Sequence, residues 1–377
     1  MKHRGIVIPV FLLLVLLWLF VAARPIRLEL SVAPRWVADQ TADSPPPAAD
    51  GLGADSSGTL ADDSRRSPRI PISLNGTLFY VDPTAGVAAA HRIPRFVAAA
   101  SDAFIGYSGV AEDHLLQAAD GEIIGRVAVP GAPFVVDDRF FVVEPFQDGV
   151  SALDASGARA WRARYPAMLL DLDHALGVTA VGLSDGTVRL LDESGNATDT
   201  VNAAELLEDG ALHGVALSSR GAFLAAALSD SDAGHGAVYD LSASGRTPPV
   251  FALGPAPPGP VRVEFLSDDR LLTYGSRRSL TLVRLLRTPE ITTIDMSDLA
   301  AFGAVFGNDN WEGLVYALDY RDEGPTLLLV TPEGRVAARL PLYVAAASVT
   351  SDSNAVIVAG ATDNEGLLLA ALEPRLR

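Results

Sequence analysis

The chain of 377 residues contains no cysteine, and its only lysine is Lys2. Without cysteine there is no disulfide, no thiolate-bound zinc or iron–sulfur centre, no thiol nucleophile and no cysteine for lipid attachment. No P-loop and no glycine-rich dinucleotide fingerprint occurs, and the six histidines never fall at H-x-H or H-E-x-x-H spacing. Ten- to fifteen-residue amphipathic helices are also missing between the short apolar runs, which excludes a parallel α/β architecture. The formal charge is −17, with no basic patch interleaved with aromatics. Such a surface repels phosphate backbones, so no nucleic acid partner is expected. An acidic surface is also an ordinary route to solubility. The near-absence of lysine beside abundant arginine and alanine is the composition of a GC-rich bacterial genome.

One long uncharged run is present. Lys2 and Arg4 precede Gly5–Ala23, nineteen residues without a charge. As a helix it would extend about 28 Å, close to the hydrocarbon thickness of a bilayer. A secretory signal has a shorter apolar core; Val21 and Ala23 would fit a cleavage site, but Arg24-Pro25 follows directly, and a proline there disfavours cleavage. Residues 5–23 therefore read as an uncleaved transmembrane signal anchor, with residues 1–4 cytoplasmic. Arg24, Arg27 and Arg35 balance the basic residues on the other side, but large domains translocate largely regardless of such charges. The expected address is the inner (cytoplasmic) membrane, single-pass, with the remainder periplasmic or otherwise extracytoplasmic. Residues 24–70 read as a linker: Pro45-Pro46-Pro47 and scattered Asp, Ser, Ala and Gly bury too little apolar surface to offset chain entropy.

From residue 71 to 377 the chain repeats itself. Short apolar stretches run into Asp- and Gly-bearing turns and out into second stretches. Copies begin at Gly76, His114, Gly149, Gly186, Gly236 and Thr326. Gly86, Gly121, Gly157, Gly195, Gly245 and Gly334 mark the turns, where glycine reaches positive φ at no steric cost. Asp82, Asp120, Asp154, Asp192 and Asp240 stand ahead of five of them, placed to accept turn N–H groups. A seventh copy, from Ser279, turns at Pro289 instead. Weaker strand pairs lie between the hairpins, as in Gly214–Leu228 and Val261–Gly275. Four strands per 35 to 50 residues is the size of one propeller blade. The expected fold is all-β, a β-propeller of seven blades, with eight as the alternative count, preceded by one transmembrane helix. The expected closure joins the C-terminal strands to the Gly76 hairpin in one composite blade.

Residues with chemical potential are scattered. Gly182-Leu183-Ser184-Asp185-Gly186 matches a nucleophile elbow, but a strand-like Thr187–Leu191 follows where the elbow needs a helix, so Ser184 reads as a turn residue. His3, His91, His114, His174, His213 and His235 share no ligand spacing. Asp171/Asp173, Asp230/Asp232 and Asp268/Asp269 are carboxylate pairs without the distal Glu of a calcium loop. The nearest approach to one is Asp230–Gly236, which a polar inter-strand loop explains equally well. No catalytic, cofactor-binding or metal-ligating residue is assigned, and no cofactor is expected.

Ala152-Leu153-Asp154-Ala155-Ser156-Gly157-Ala158-Arg159-Ala160-Trp161 resembles the quinoprotein-type propeller repeat, and Val315–Asp319 echoes its first half. Val215–Ala225 followed by Val238-Tyr239-Asp240 is similar to WD40-type repeats. The resemblance covers the repeat region by pattern and one or two blades by motif. It implies a WD40-like or quinoprotein-like propeller without the quinone, because the adjacent cysteine pair of such dehydrogenases is missing. Members of this kind are commonly scaffolds, including envelope-assembly components. Two readings of function follow. One is a non-catalytic platform for an envelope protein or peptide partner. The other is a propeller enzyme of hydrolase or lactonase type, its site assembled from several blades at the central channel. The lack of a catalytic constellation favours the platform.

Overall fold

The turns take the shapes their residues require. Gly86, Gly121, Gly157, Gly195 and Gly334 all adopt positive φ, from 79° to 95°. Asp154 accepts N–H bonds from Ser156 and Ala158, and Asp192 from Ser194 and Asn196, at 2.8 to 3.0 Å. These carboxylates replace the missing ladder partners at the point of reversal. The computed structural model in which this is seen describes residues 30–40, 69–82, 86–110, 113–207, 210–242, 248–266, 270–305, 313–351, 355–361 and 367–376. The anchor expected at 5–23, most of the linker, Gly245 and the Asp268/Asp269 pair lie outside them. Among the described residues no helix is long and apolar enough to cross a membrane.

The described strands form eight antiparallel sheets, seven of four strands and one of three. In chain order, blade 1 holds Ile70–Leu74, Thr77–Asp82 and Gly86–Arg92. Blades 2 to 7 span 96–127, 132–164, 169–202, 211–255, 262–295 and 299–341. Blade 8 combines Ala346–Ser351, Val356–Ala361 and Leu367–Leu376 with an N-terminal strand, Leu30–Gln40.

The packing makes the sheets a closed ring. Eight apolar clusters occur, and each is shared by two consecutive sheets, including blades 8 and 1. Alternation along a strand serves both seams. In Phe223–Ser229 of blade 5, Leu224, Ala226 and Leu228 pack toward blade 4, while Ala225 and Ala227 pack toward blade 6. Both faces of a central strand are thus buried, which explains its unbroken apolar run. Outermost strands such as Ala197–Asn202 are exposed almost throughout.

The count is therefore eight, not seven. Division by a 40–45-residue period overestimates the repeat because several blades are compact. Two-residue turns close their first hairpins, at Asp137-Asp138 and Leu176-Gly177, with φ values of 44° to 79°. The closure also differs from expectation. The C-terminal strand Leu367–Leu376 pairs antiparallel with Leu30–Gln40, with Leu30 opposite Leu376 and Gln40 opposite Leu367. That strand comes from the stretch read as linker, and the Gly76 hairpin belongs to its own sheet. Pairing the last sheet with the chain's beginning satisfies an edge that would otherwise be free to recruit another chain.

Candidate functional site

The first strands of blades 3 to 6 line a common cavity inside the ring. Such a strand is hydrogen-bonded on one side only, so its outward N–H groups need other acceptors. Between blades 4 and 5 two aspartates supply them. Asp171 and Asp173, on Leu169–Ala175, accept N–H bonds from Val215 (2.9 Å) and Leu217 (2.6 Å) of the next blade, each 44 residues further on. Their other oxygens accept from Leu172 and His174 at 2.9 and 2.8 Å. A β-bulge between Leu169 and Asp171 offsets the start of this strand. The same irregularity recurs at Leu212/Gly214 and Leu299/Ala301 in the first strands of blades 5 and 7.

A cavity of about 730 Å³ opens here, lined by the first strands of blades 3 to 6. Val136, Leu172, Val215, Leu217 and Val263 form its apolar part, and its polar groups are Asp137, Asp171, Asp173, His174, His213, Ser219, Arg262 and Glu264. Arg262 donates to Glu264 at 2.7 Å and lies 4.8 Å from the Phe302 ring centroid. Burial pushes the Asp171 carboxyl up from 3.8 to about 6, opposed mainly by its N–H donors; nearby Asp173 raises it and Arg262 lowers it. Asp173 also rises to about 6 through burial, with Glu264 and Asp137 adding to the rise. His174 and His213 are pulled below their ordinary value, again chiefly by burial. Both rings have structural partners. His174 Nδ1 meets Thr179 Oγ1 at 2.9 Å, and His213 bridges Gly259 O and Ser229 Oγ at 3.1 and 2.7 Å.

These shifts predict a pH signature. Native Asp171 and Asp173 hold protons that the unfolded chain has released, so their contribution to stability grows as pH falls through about 6. Between pH 7.5 and 5 each contributes about 1.4 kcal/mol. His174 and His213 act oppositely, because their native pKa values are lowered. The contribution of the aspartates is isolated by comparing wild type with Asp171→Asn/Asp173→Asn in urea unfolding at the two pH values. Acidification should favour wild type over the variant by roughly 2 kcal/mol. Parallel responses would refute the assignment.

The other candidates from the sequence do not converge. Ser184 sits in a turn between the strands Val178–Leu183 and Thr187–Leu191, its Oγ accepting the Met168 N–H at 3.1 Å. Asp230 Oδ1 accepts from Asp232 and Ala233, and Oδ2 meets His235 Nε2 at 3.0 Å. Those N–H bonds, with His235, hold its carboxyl down at about 2. The loop thus closes on its own aspartate. His91 and His114 meet the carbonyls of Ala119 and Gly131. Among the described residues no three His, Asp or Glu side chains are placed to share a metal ion.

A second feature escaped the motif search. At the end of the ring that carries the links between blades, Phe146 is 81% exposed and Met168 51%. They belong to neighbouring segments, since Leu169 N donates to Gln147 O at 2.7 Å. Leu170, 43% exposed, continues the apolar surface to the cavity wall. The turn presenting Phe146 is braced at its base. Glu144, buried, is paired with Arg162 and, at 3.1 Å, with Arg164, and the Arg162 hydrogen bond draws its carboxyl below the usual range. Gln147 completes the turn at φ 58°. Isolated exposed apolar residues carry no sequence signal, because only the fold brings these segments side by side.

The family comparison agrees with this architecture. A β-propeller protein family model matches residues 1–207, and the chain belongs to that family. An uncharacterised protein of Treponema pallidum (strain Nichols) is 26% identical over 197 residues, covering 52% of this chain and 50% of the relative. The chain thus spans about half the length of the curated relative it matches. Among solved structures, BamB from Moraxella catarrhalis is similar with a TM-score of 0.53 at 12% identity, covering 80% of this chain and 96% of BamB. The complex of KlAtg21 with the coiled-coil of AgAtg16 gives 0.51 at 12% identity, covering 75% of this chain and 98% of the other. Kuenenia stuttgartiensis hydrazine synthase gives 0.50 at 13% identity, with 74% and 94% covered. At such identities the likeness is one of fold.

Proposed function

We propose that this chain is a non-catalytic interaction platform of the cell envelope, held at the inner membrane by residues 5–23 with its propeller on the extracytoplasmic side. The observation that carries the platform reading is the apolar surface at Phe146 and Met168, with Phe146 displayed on a turn braced by the buried Glu144–arginine cluster. Large apolar side chains held in a fixed turn suit a protein partner, because little conformational entropy remains to be lost on association. The fold likeness to KlAtg21, solved in complex with the coiled-coil of AgAtg16, is consistent with a propeller that binds proteins. The address rests on the sequence alone, from the length of the uncharged run and the arginine-proline pair behind it.

The test is chemical cross-linking in intact cells, followed by capture of the full chain. Wild type should yield one or more stoichiometric envelope proteins. Phe146→Asp/Met168→Asp should lose at least 90% of that yield while keeping its unfolding midpoint, since both residues are exposed. Capture unchanged by the double variant would remove this surface from the account. An alkaline phosphatase fused at the C-terminus should be active if the propeller is extracytoplasmic, and inactive if it faces the cytoplasm.

A further inference from the structure

The channel cavity holds a pair of carboxylates without a salt-bridge partner among the described residues. Asp171 and Asp173 lie largely out of solvent on one wall, and neither forms a salt bridge with any described residue. The cation that shares the cavity, Arg262, is already committed to Glu264 at 2.7 Å. Charged groups taken out of water are ordinarily paired, because the desolvation cost otherwise goes uncompensated. Each aspartate accepts two backbone N–H bonds. That leaves further lone pairs on each carboxylate. The cavity, at about 730 Å³, falls within the range that accommodates small ligands, and valines and leucines share its walls with His174, His213 and Ser219.

We propose that the cavity is a binding site for a small organic ammonium ion, with the charged nitrogen at Asp171 and Asp173 and an apolar body against Val215, Leu217 and Leu170. A bare metal ion is a poorer match, because no three carboxylate or imidazole groups among the described residues are placed to share one. An anion would meet four carboxylates, one arginine already paired and two histidines that burial holds toward the neutral form. The raised carboxyl values accord with this, since a bound cation would lower both. The site is independent of the proposed partner surface, although Leu170 borders both.

The experiment uses the full chain in detergent and titrates phenethylammonium, with phenethyl alcohol and phenylacetate as neutral and anionic probes, by ligand-observed NMR and calorimetry. Phenethylammonium should bind saturably, at least tenfold more tightly than either other probe, and should weaken as pH falls from 7.5 to 5. Leu170→Arg places a cation at an exposed position on the cavity wall and should abolish binding without changing the unfolding midpoint. Equal binding of the three probes, no saturation at 10 mM phenethylammonium, or unchanged affinity in Leu170→Arg would each overturn the assignment. Because Leu170 borders both sites, Phe146→Asp/Met168→Asp separates the two proposals: it should lose cross-linking while binding phenethylammonium as wild type does.

Discussion

A chain that begins after Gln40 is expected to lose its closed ring, whereas a chain that begins at Glu29 keeps it. The difference is the strand Leu30–Gln40, whose ten register pairs complete blade 8. At roughly 0.5 kcal/mol or more for each ladder bond, its loss costs on the order of 5 kcal/mol before any packing is counted. In a domain of this size that lowers the midpoint by roughly 10 °C. It also exposes the edge of Leu367–Leu376, a template for association with other chains. Thermal unfolding followed by circular dichroism, together with light scattering, compares the two truncations directly. Equal midpoints and equal monomer fractions would mean that the ring does not depend on that strand.

Gly195→Val is the second change with a large expected effect. Gly195 turns the chain at φ 79° at the outer hairpin of blade 4, and a Cβ there would stand 2.7 Å from the indole of Trp161 in blade 3. Valine would incur about 1–2 kcal/mol for the left-handed backbone and about 1–3 kcal/mol for overpacking the seam. A loss of roughly 3–4 kcal/mol is expected in urea unfolding. It should be accompanied by a shift in tryptophan emission, because Trp161 is buried against Phe141 and Leu191. A loss below about 1 kcal/mol would show that the hairpin does not pack on its neighbour as described.

Much of the fold is legible from local chemistry. The Asp-to-Gly turns identify the outer hairpins because each aspartate satisfies its own turn, as Asp154 and Asp192 do. Strand content follows from the same apolar runs. Two features resist this reading. Leu30–Gln40 contains Pro34 and three charged or amide residues, and its status as a strand comes from Leu367–Leu376. The blade count depends on two-residue turns such as Asp137-Asp138, which shorten some copies and leave others long.

The site was less legible still. Asp171 and Asp173 were visible as a carboxylate pair, but spacing alone could not reveal that they serve the N–H groups of Val215 and Leu217 in the next blade. Arg262 and Glu264 reach the same cavity from a blade further on. Convergence of this kind depends on ring closure, and no contiguous segment encodes it. Phe146 and Met168 illustrate the same point at the surface, since their segments are joined by the backbone bonds from Leu169 to Gln147 and from Tyr165 to Asp148.

The register of the closing strand provides the most direct measurement. The chain has no native cysteine, so Val37→Cys/Ala370→Cys introduces a single pair at positions directly opposite one another. Opposed Cα atoms in an antiparallel ladder lie about 4.5–5.5 Å apart, within disulfide range. A ring closed in this way predicts rapid disulfide formation in the double variant and little in Val37→Cys/Leu372→Cys, which is two positions out of register. Equal cross-linking of the two pairs, or none in either, would contradict the eight-bladed ring closed by the chain's first strand.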